Sequence, residues 1–466
     1  MQNGTDDGAV RYKTGMRRAV KHGVQGSVAR FRSSPPTRTD IEESHMTLSF
    51  ELSPEQMAVR MQARQVADDI LSEVAPAISS IPRPEDRFYA LQPVYKQLAG
   101  LGFVKGLVPD QYGGAYFDNL TFALASEELA RVDINTPTAL LGTGLGLNPI
   151  INFGTEEQKN RWLPLFCDGE PRLAAIAYTE VTGGANYDSA DPTVGIRTFA
   201  RLEGDEWVIN GAKHYTTNAS GWDGQGADLI SVVCRTDPAL PPSESLAVIV
   251  VEKGTPGVEI ADMIDTIGHR ATNSPRVEFR DVRVPVGNLI GKPGDGLNIV
   301  ATAFSWTCSS IAAACVGRMR AAFDYSLHFA KTDHRSGPVP VIEYQNAGYM
   351  LVDIKTRIEA VRYFAWKAAD HFDRTGGRDR ELANEAKIFA SETAVQVVYD
   401  AMRLVGVDAY TNLTPIAAIM EDVLCFPVYD GGNMGVRRRN VHNLLKADGF
   451  DSLAAAENRL SVPEHA

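Results

Sequence analysis

The stretch that decides the fold is LAVIVV, at Leu246–Val251, near the middle of the 466-residue chain. Similar short runs rich in Val and Ile lie at Glu206–Ile209, Leu229–Val233 and Val277–Phe279, and turn-forming Gly, Pro, Asn and Asp separate them. Short aliphatic runs bounded by such residues are typical of β-strands joined by tight turns. The pattern therefore predicts an all-β domain in the middle of the chain.

On either side of this β region the pattern becomes helical. Ser53–Gln56 combines an N-cap serine, a proline in the first turn and a capping-box glutamine. Downstream, Met350, Ile354, Ile358 and Val361 recur at the spacing that places them on one face of a long helix. The order of helices, strands and helices excludes a doubly wound α/β fold, in which strands and helices alternate.

The chain is therefore predicted to be mainly α with an inserted β domain. It divides into a disordered leader at residues 1–45, an N-terminal helical domain at 46–166, a middle β domain at 167–292 and a C-terminal helical bundle at 293–466. The leader is rich in Arg and Ser and has no apolar core, so a secretory signal is not expected, although a mitochondrial transit peptide stays open. Met46 opens a segment that is typical of a natural protein start.

Composition narrows the range of partners. Lys and Arg number 46 against 58 Asp and Glu, so the net charge of −12 argues against nucleic acid or an anionic membrane as a partner. No apolar stretch is expected to be long enough to span a membrane. The five cysteines are odd in number and form no CxxC pair, so we expect reduced thiols, no bound metal and a cytoplasmic location. Neither a Rossmann nor a P-loop glycine motif occurs in its required context.

Two polar segments in the β region are candidates for ligand contact. Tyr178–Asn186 offers hydroxyls and backbone N–H groups to a polar ligand, but a plain surface turn would have the same composition. Asn210–Gly211 is the strongest short signal for a β-hairpin. Tyr215, Thr216 and Thr217 are then expected on the following strand, either as ligand contacts or as ordinary edge-strand residues.

A third segment contains the strongest candidate for chemistry. An apolar run, Val423–Val428, leads into the single carboxylate of Asp430, two glycines follow, and three arginines come next at Arg437–Arg439. Apolar surroundings disfavour the charged form of a carboxylate, whereas a nearby guanidinium favours it, and this balance suits a general base near neutral pH. A plain turn with a helix cap near Asn433 explains the same residues equally well.

In their order and spacing these segments resemble the acyl-CoA dehydrogenase superfamily, and the resemblance extends from Met46 to about Asp451. It implies FAD as the cofactor, a middle β-barrel or sandwich between a helical domain and a C-terminal four-helix bundle, and a homotetramer. The residues that the resemblance places at the flavin are Tyr178, Thr179, Gly183, Gly184, Tyr215, Thr216, Thr217, Arg335, Gln345, Gly406, Gly431, Gly432 and Asn433. Arg335 is implied to reach the FAD pyrophosphate of a neighbouring subunit.

Departures from the superfamily pattern resemble its nitroalkane oxidase branch. The base position carries Asp430 rather than glutamate, and the glycine-rich flavin loop has become Gly406–Tyr410. In that branch an arginine pairs with the aspartate and a serine bonds to it. The resemblance therefore implies that Arg437 is the pairing arginine and that Thr307 takes the place of the serine.

The activity that the resemblance implies is the oxidation of a nitroalkane, a small-molecule substrate. Asp430 would remove the acidic α proton, the electrons would pass to flavin N5, and the products would be an aldehyde or ketone, nitrite and hydrogen peroxide. Two alternatives stay open: desaturation of an acyl-CoA or acyl-carrier-protein substrate, and a flavin-retaining protein without activity. His269 is expected to be structural rather than a second catalytic group.

Overall fold

The computed structural model describes residues 50–191 and 193–463. The predicted leader at residues 1–45 lies outside these ranges. The described residues open with a helical region. Its helices are α1 (Pro54–Asp69), α2 (Val74–Ile78), α3 (Pro84–Tyr89), α4 (Gln92–Gly100), α5 (Asn119–Val132), α6 (Asn135–Phe153) and α7 (Glu156–Trp162).

The predicted start of α1 is confirmed. The Ser53 hydroxyl accepts the backbone N–H of Gln56 at 3.1 Å, and the Gln56 side chain accepts the backbone N–H of Ser53 at 3.0 Å. Thr155 and Gln158 form the same reciprocal pair at the start of α7. Both capping boxes satisfy N–H groups that a helix start would otherwise leave without a partner.

The middle of the chain forms an eight-stranded sheet. Its strands are β1 (Ala174–Ala177), β2 (Phe199–Glu203), β3 (Glu206–Lys213), β4 (Leu229–Arg235), β5 (Leu246–Glu252), β6 (Val258–Met263), β7 (Pro275–Pro285) and β8 (Leu289–Ile290), with a short helix, α8 (Pro242–Ser245), before β5. The sheet order is β6-β7-β3-β2-β4-β5-β8, and β1 pairs in parallel with β4. The four aliphatic runs fall on β3, β4, β5 and β7, so the predicted strands are confirmed.

The hairpin predicted at Asn210–Gly211 is wrong. β3 continues through these residues as an irregularity in its pairing with β7. The Asn210 side chain accepts the backbone N–H of Asp281 on β7 at 3.0 Å, so it belongs to the ladder rather than to a turn. The chain turns earlier, at Gly204 with φ +63°, between β2 and β3. A two-residue turn signal carries no information about the partner strand. Here the pairing with β7 keeps Asn210 and Gly211 within β3.

The C-terminal region is helical, as predicted. Its helices are α9 (Gly296–Thr332), α10 (Gln345–Arg374), α11 (Glu381–Val405), α12 (Ile416–Cys425) and α13 (Arg438–Leu445), and a π-helix at Gly432–Arg437 precedes α13. α9, α10 and α11 pack along one another, and α5 packs on α9. The predicted face of α10 is confirmed at Ile354, Ile358 and Val361, which are buried in the bundle core, whereas Met350 is half-buried.

The expectation that no apolar stretch is long enough to span a membrane is corrected by one helix in the described ranges. α9 is long and apolar enough to cross a membrane by composition, with a mean hydropathy of 1.6 over its most apolar window. However, 83% of that window is buried inside the protein. We therefore assign α9 as the central helix of the bundle, where an apolar surface on all sides is expected.

Buried ion pairs connect the N-terminal helices to the bundle. We call them the arginine–glutamate cluster, and its members are Glu127 and Glu128 of α5 with Arg60, Arg64, Arg320 and Arg362. Both glutamate side chains are fully buried. Arg64 lies 2.9 Å from Glu128, and Arg320 lies 2.8 Å from Glu127. Removal of one partner from a buried pair leaves an uncompensated charge, so this cluster should be sensitive to substitution.

Glu128→Gln should destabilise the protein in a pH-dependent way. Burial alone would raise the pKa of Glu128, but Arg64, Arg320 and Arg60 outweigh it and lower the pKa to about 2. A lowered folded-state pKa stabilises the protein above the ordinary glutamate pKa, and this stabilisation, about 3 kcal/mol, is lost as pH falls toward 2. Thermal melting should therefore show a large difference between the variant and the wild type at pH 7 that shrinks between pH 4.5 and pH 3.

The exposed Glu157 on α7 provides the control for this measurement. Glu157→Gln should melt close to the wild type at every pH, because an exposed glutamate contributes little. A difference between Glu128→Gln and the wild type that stayed constant from pH 7 to pH 3 would contradict the assignment.

Candidate active site

The turn that carries Asp430 has an unusual backbone. We call Tyr429–Asn433 the Asp430 turn. Three consecutive residues have left-handed φ values: Asp430 at +53°, Gly431 at +84° and Gly432 at +52°. This region is rare for a residue other than glycine, although aspartate is among the side chains that tolerate it. A π-helix follows at once, and such segments are rare and frequently lie at functional sites.

The Asp430 carboxylate is buried and held from two sides. Its side chain is 4% exposed. The Thr307 hydroxyl on α9 lies 2.9 Å from each carboxylate oxygen, and Arg437 Nη2 donates to Oδ2 at 2.6 Å. The Thr307 hydroxyl has one proton to donate, and the carbonyl of Phe304 competes for it at 2.8 Å. Oδ2 is therefore committed to the guanidinium, whereas Oδ1 has only this shared hydroxyl among the described residues and can accept a proton.

Arg437 is buried completely and its position is fixed in several directions. It donates to the backbone carbonyl of Phe304 at 2.9 Å, to the carbonyl of Asp430 at 3.0 Å and to the side chain of Asn384 at 3.3 Å. Burial alone would lower the pKa of Arg437, but Cys308 and Asp430 outweigh it, so the pKa lies above its ordinary value. The residue is a permanent buried cation whose charge faces the carboxylate.

The predicted ligand loop lies against the Asp430 segment. The ring of Tyr178 is 5.1 Å from the ring of Phe304, which is in the same turn of α9 as Thr307. On the other side, Gly435 of the π-helix packs so closely on Ala185 that a Cβ there would lie 3.0 Å from it. The structure therefore places the loop that contains Tyr178, Thr179, Gly183 and Gly184 against α9 and the π-helix, which flank the buried carboxylate.

A buried ion pair fixes this loop from behind. Glu180 and Lys213 lie 2.8 Å apart and are almost completely buried. Lys213 also donates to the carbonyl of Tyr178 at 3.0 Å, and the N–H of His214 donates to the carbonyl of Thr179 at 2.7 Å. The Glu180 side chain thus points into the protein, and the loop is tied to the end of β3 by these contacts.

The strand predicted for Tyr215, Thr216 and Thr217 is wrong, because β3 ends at Lys213 and Tyr215 has a left-handed φ of +55°. Tyr215 is exposed and Thr217 is half-buried. Thr216 is buried, and its hydroxyl has no hydrogen-bond partner in the described part of the chain. Buried hydroxyls are normally satisfied, so an unpartnered one beside this loop fits the polar edge of a flavin.

Arg335, Gln345 and Gly406 form a second group at the end of the bundle where α9 and α11 terminate. Arg335 forms an ion pair with Asp408, which follows Gly406 in the chain, at 2.8 Å. Gln345 is the first residue of α10, and Gly406 follows α11 with φ +80°. Across residues 50–191 and 193–463, no hydrogen bond or ion pair joins these three residues to Asp430. The predicted site residues thus divide into two groups.

The remaining predicted residues lie in the Asp430 turn itself. A Cβ on Gly431 would lie 3.2 Å from Arg437 Nε, a tight contact, and the left-handed φ of +84° also favours glycine at this position. Gly432 has open space where a Cβ would stand. Asn433 is buried, and its side chain bonds to Lys387 and to other groups on α11, so it faces the protein rather than a ligand.

Three residues that contact the site were missed in the sequence. Phe304 contributes its backbone carbonyl, for which no side-chain signal exists. Asn384 and Lys387 lie on α11, and both are fully buried. Lys387 had a readable signal, because it interrupts the apolar run Ala386–Ala390. His269 is buried with its ring 5.5 Å from that of Tyr429, so it packs behind the turn.

In the described residues no metal site lies at the carboxylate, and an open groove lies elsewhere on the bundle. No group of three or more His, Cys, Asp and Glu side chains in the described residues could hold a metal ion. An open groove of about 1010 Å³ lies on the outer side of α10, α11 and α13, with Glu392 and Arg438 in its wall, but Asp430, Arg437 and Thr307 do not line it. The buried carboxylate and its partners are therefore a better candidate for the reaction centre than the groove.

Comparison with known proteins identifies relatives across most of the chain. Three family models of acyl-CoA dehydrogenase match: the N-terminal domain at residues 53–170, the middle domain at 175–282 and the C-terminal domain at 294–445. A nitroalkane oxidase from Podospora anserina is 36% identical over 87% of this chain and 98% of its own length. An acyl-CoA dehydrogenase from Bacillus subtilis is 31% identical over 80% of this chain and 94% of its own.

The similarity to nitroalkane oxidase also holds for the backbone of a solved structure. This structure belongs to a study of the roles of an aspartate and an arginine in the reaction of the flavoprotein nitroalkane oxidase. That structure superimposes with a TM-score of 0.84 at 32% identity and covers 88% of this chain and 100% of its own. The two residues under study there are seven positions apart, as Asp430 and Arg437 are here.

Proposed function

This chain belongs to the acyl-CoA dehydrogenase family, and on that premise we propose that it is an FAD-dependent oxidase of small nitroalkanes. The reaction converts a nitroalkane, O2 and water into an aldehyde or ketone, nitrite and hydrogen peroxide. For a primary nitroalkane the atoms balance as RCH2NO2 + O2 + H2O giving RCHO + HNO2 + H2O2. The mapping onto this chain rests on one observation, the buried contact of Asp430 with Arg437 and Thr307.

Asp430 removes the α proton of the substrate. A nitro group delocalises the charge that develops on the α carbon, so one well-placed carboxylate is sufficient as the base. Oδ1 receives the proton, because Oδ2 is engaged by Arg437 at 2.6 Å. Arg437 stabilises the carboxylate before transfer and fixes its plane, and Thr307 restricts it from the side of α9.

The residues around this carboxylate also fit the cofactor. Bound FAD supplies the two-electron acceptor that the oxidation requires. We propose that the loop of Tyr178, Thr179, Gly183 and Gly184 holds its polar edge, together with the unpartnered hydroxyl of Thr216.

We further propose a cytoplasmic homotetramer in which the second group of residues serves the flavin of a neighbouring subunit. Two large apolar side chains flank Asp408, the ion-pair partner of Arg335, and both are exposed: Val407 by 62% and Tyr410 by 71%. An exposed apolar patch beside a fixed arginine suits a subunit contact. All five cysteines are free thiols, which suits a reducing compartment. Light scattering during gel filtration would test the tetramer, and the location of a tagged chain would test the compartment.

Thr307→Val should lower kcat/KM for nitroethane about tenfold, because a hydrogen bond to a charged group contributes about 1.5–3 kcal/mol and the replacement keeps the shape of the side chain. Thr307→Ser keeps the hydroxyl and should stay close to the wild type. Steady-state oxygen consumption with FAD-loaded protein measures both. Equal activities for the two variants would contradict a role for the hydroxyl at Asp430.

The second candidate is desaturation of an acyl thioester. It is favoured by the acyl-CoA dehydrogenase relative from Bacillus subtilis at 31% identity. In that reaction the same carboxylate would remove the α proton of a thioester, and no nitrite would form. Anaerobic titration of the FAD-loaded protein separates the candidates. Nitroethane should bleach the flavin absorbance and butyryl-CoA should not, and aerobic turnover of nitroethane should release nitrite and peroxide. Bleaching by butyryl-CoA alone would overturn the proposed function.

A further inference from the structure

We propose that Lys387 is a positioning residue for the base. It forms hydrogen bonds with the Asp430 turn before and after the aspartate and thereby fixes the position of the carboxylate. The inference rests on the proposed function, in which Asp430 removes the α proton. Lys387 does not touch Asp430 in any hydrogen bond or ion pair of the described residues, so it acts through the turn.

Lys387 spans the turn from behind. Its side chain lies on α11 and is fully buried. Nζ donates to the carbonyl of Tyr429 at 2.9 Å and to the side-chain oxygen of Asn433 at 2.9 Å. Tyr429 immediately precedes Asp430, and Asn433 follows it by three positions. One ammonium therefore joins the two ends of the segment that presents the base.

The backbone of this turn requires such support. Three successive left-handed residues are not a conformation that a free peptide would keep, so the surroundings must impose it. Within the turn, the N–H of Asn433 donates to the carbonyl of Pro427 at 2.9 Å. From α11, Ser391 accepts the Asn433 side chain at 2.9 Å, next to Lys387. The turn is thus tied to α11 through Lys387 and Asn433.

The burial of the Lys387 charge does not stabilise the fold. No carboxylate of the described residues lies within ion-pair distance of Nζ, and a buried cation without such a partner is costly. Burial lowers the pKa of Lys387 most and the neighbouring Arg437 lowers it further, whereas Asp430 raises it, and the resulting pKa is about 8. The thiols of Cys308 and Cys315 on α9 and the carboxylate of Glu392 on α11 also face it. At neutral pH the group is still an ammonium and adds a second buried cation behind the base.

Lys387→Met tests the inference, because methionine has a similar length but neither charge nor donor. The substrates are neutral nitroethane and its preformed anion, which has already lost the α proton and needs no base. With the FAD-loaded variant, kcat/KM for neutral nitroethane should fall about 100-fold, the cost of a misplaced reacting group. The value for the anion should stay near that of the wild type, and FAD content should be unchanged. A merely structural lysine would affect both substrates alike.

Lys355→Met is the matched control, since Lys355 is half-exposed on α10 and pairs only with Glu359. It should leave both values within about twofold of the wild type. Lys387→Gln, which keeps a donor without charge, should lie between the wild type and the methionine variant. It provides the readout if the methionine variant does not fold.

Two results would overturn the inference. One is wild-type kcat/KM for neutral nitroethane in Lys387→Met or Lys387→Gln, and the other is an equal loss on both forms of the substrate. A wild-type protein that oxidised neither form would instead overturn the proposed function, so the two failures are distinguishable.

Discussion

Asp430→Asn is expected to lower kcat/KM for neutral nitroethane by about 10²- to 10⁴-fold, the contribution typical of a general base. Asparagine keeps the shape of the side chain and is also tolerated at a left-handed φ, so the Asp430 turn should keep its backbone. What it removes is the oxygen that accepts the proton. FAD content should change little, and the loss of activity should lie in the chemical step. The melting temperature should fall, because Arg437 is left as a buried cation without its carboxylate.

The preformed nitroethane anion isolates that step. It requires no proton transfer, so the variant should oxidise it at a rate close to that of the wild type. Asp281→Asn is the matched control, because Asp281 is an exposed aspartate with φ +49° at a bend of the sheet. It should behave as the wild type on both forms. Comparable activity of Asp430→Asn and the wild type on neutral nitroethane would rule out Asp430 as the base.

Arg437→Lys should lower kcat/KM for neutral nitroethane by about 10- to 100-fold, although the charge is kept. The guanidinium serves Asp430, the carbonyl of Phe304 and the side chain of Asn384 at the same time. An ammonium is a point donor on a flexible stem and cannot reproduce this planar arrangement. The carboxylate would then lose its fixed plane, and the groups left without a partner would also reduce the melting temperature.

The neighbouring Arg438, the first residue of α13, supplies a matched control. Its side chain is 42% exposed and forms a two-point ion pair with Glu392. Arg438→Lys should keep kcat/KM within about twofold, as expected for an exposed pair. If Arg437→Lys and Arg438→Lys had the same kcat/KM for neutral nitroethane, the buried pair would have no special role in proton abstraction.

Much of the fold could be predicted from local patterns, because the deciding features are local. Aliphatic runs such as Leu246–Val251 form buried strands wherever they pair, and the Ser53–Gln56 cap acts within four residues. The turn signal at Asn210–Gly211 failed for the opposite reason. Its outcome depends on pairing with β7, whose partner residue Asp281 lies 71 positions away.

The same contrast between local patterns and long-range contacts applies to the site. Asp430 and Arg437 could be paired from the sequence because seven positions separate them and a family pattern connects them. The role of Lys387 could not, because its place in the apolar run Ala386–Ala390 points to burial but does not show what the ammonium contacts. Its contacts with the Asp430 turn span 42 and 46 positions. The ion pair of Arg335 with Asp408 likewise became visible only in three dimensions.

The arginine–glutamate cluster has a consequence for how the chain is made. Glu127 finds Arg320 and Arg362, which come 193 and 235 residues later. At the usual speed of synthesis the ribosome takes roughly 10–50 s to reach them. During that interval Glu127 has Arg60, which lies 3.7 Å away in the folded protein, but not the two arginines that approach it more closely. The cluster should therefore form late in folding. Its formation requires that the first and last thirds of the chain pack against each other.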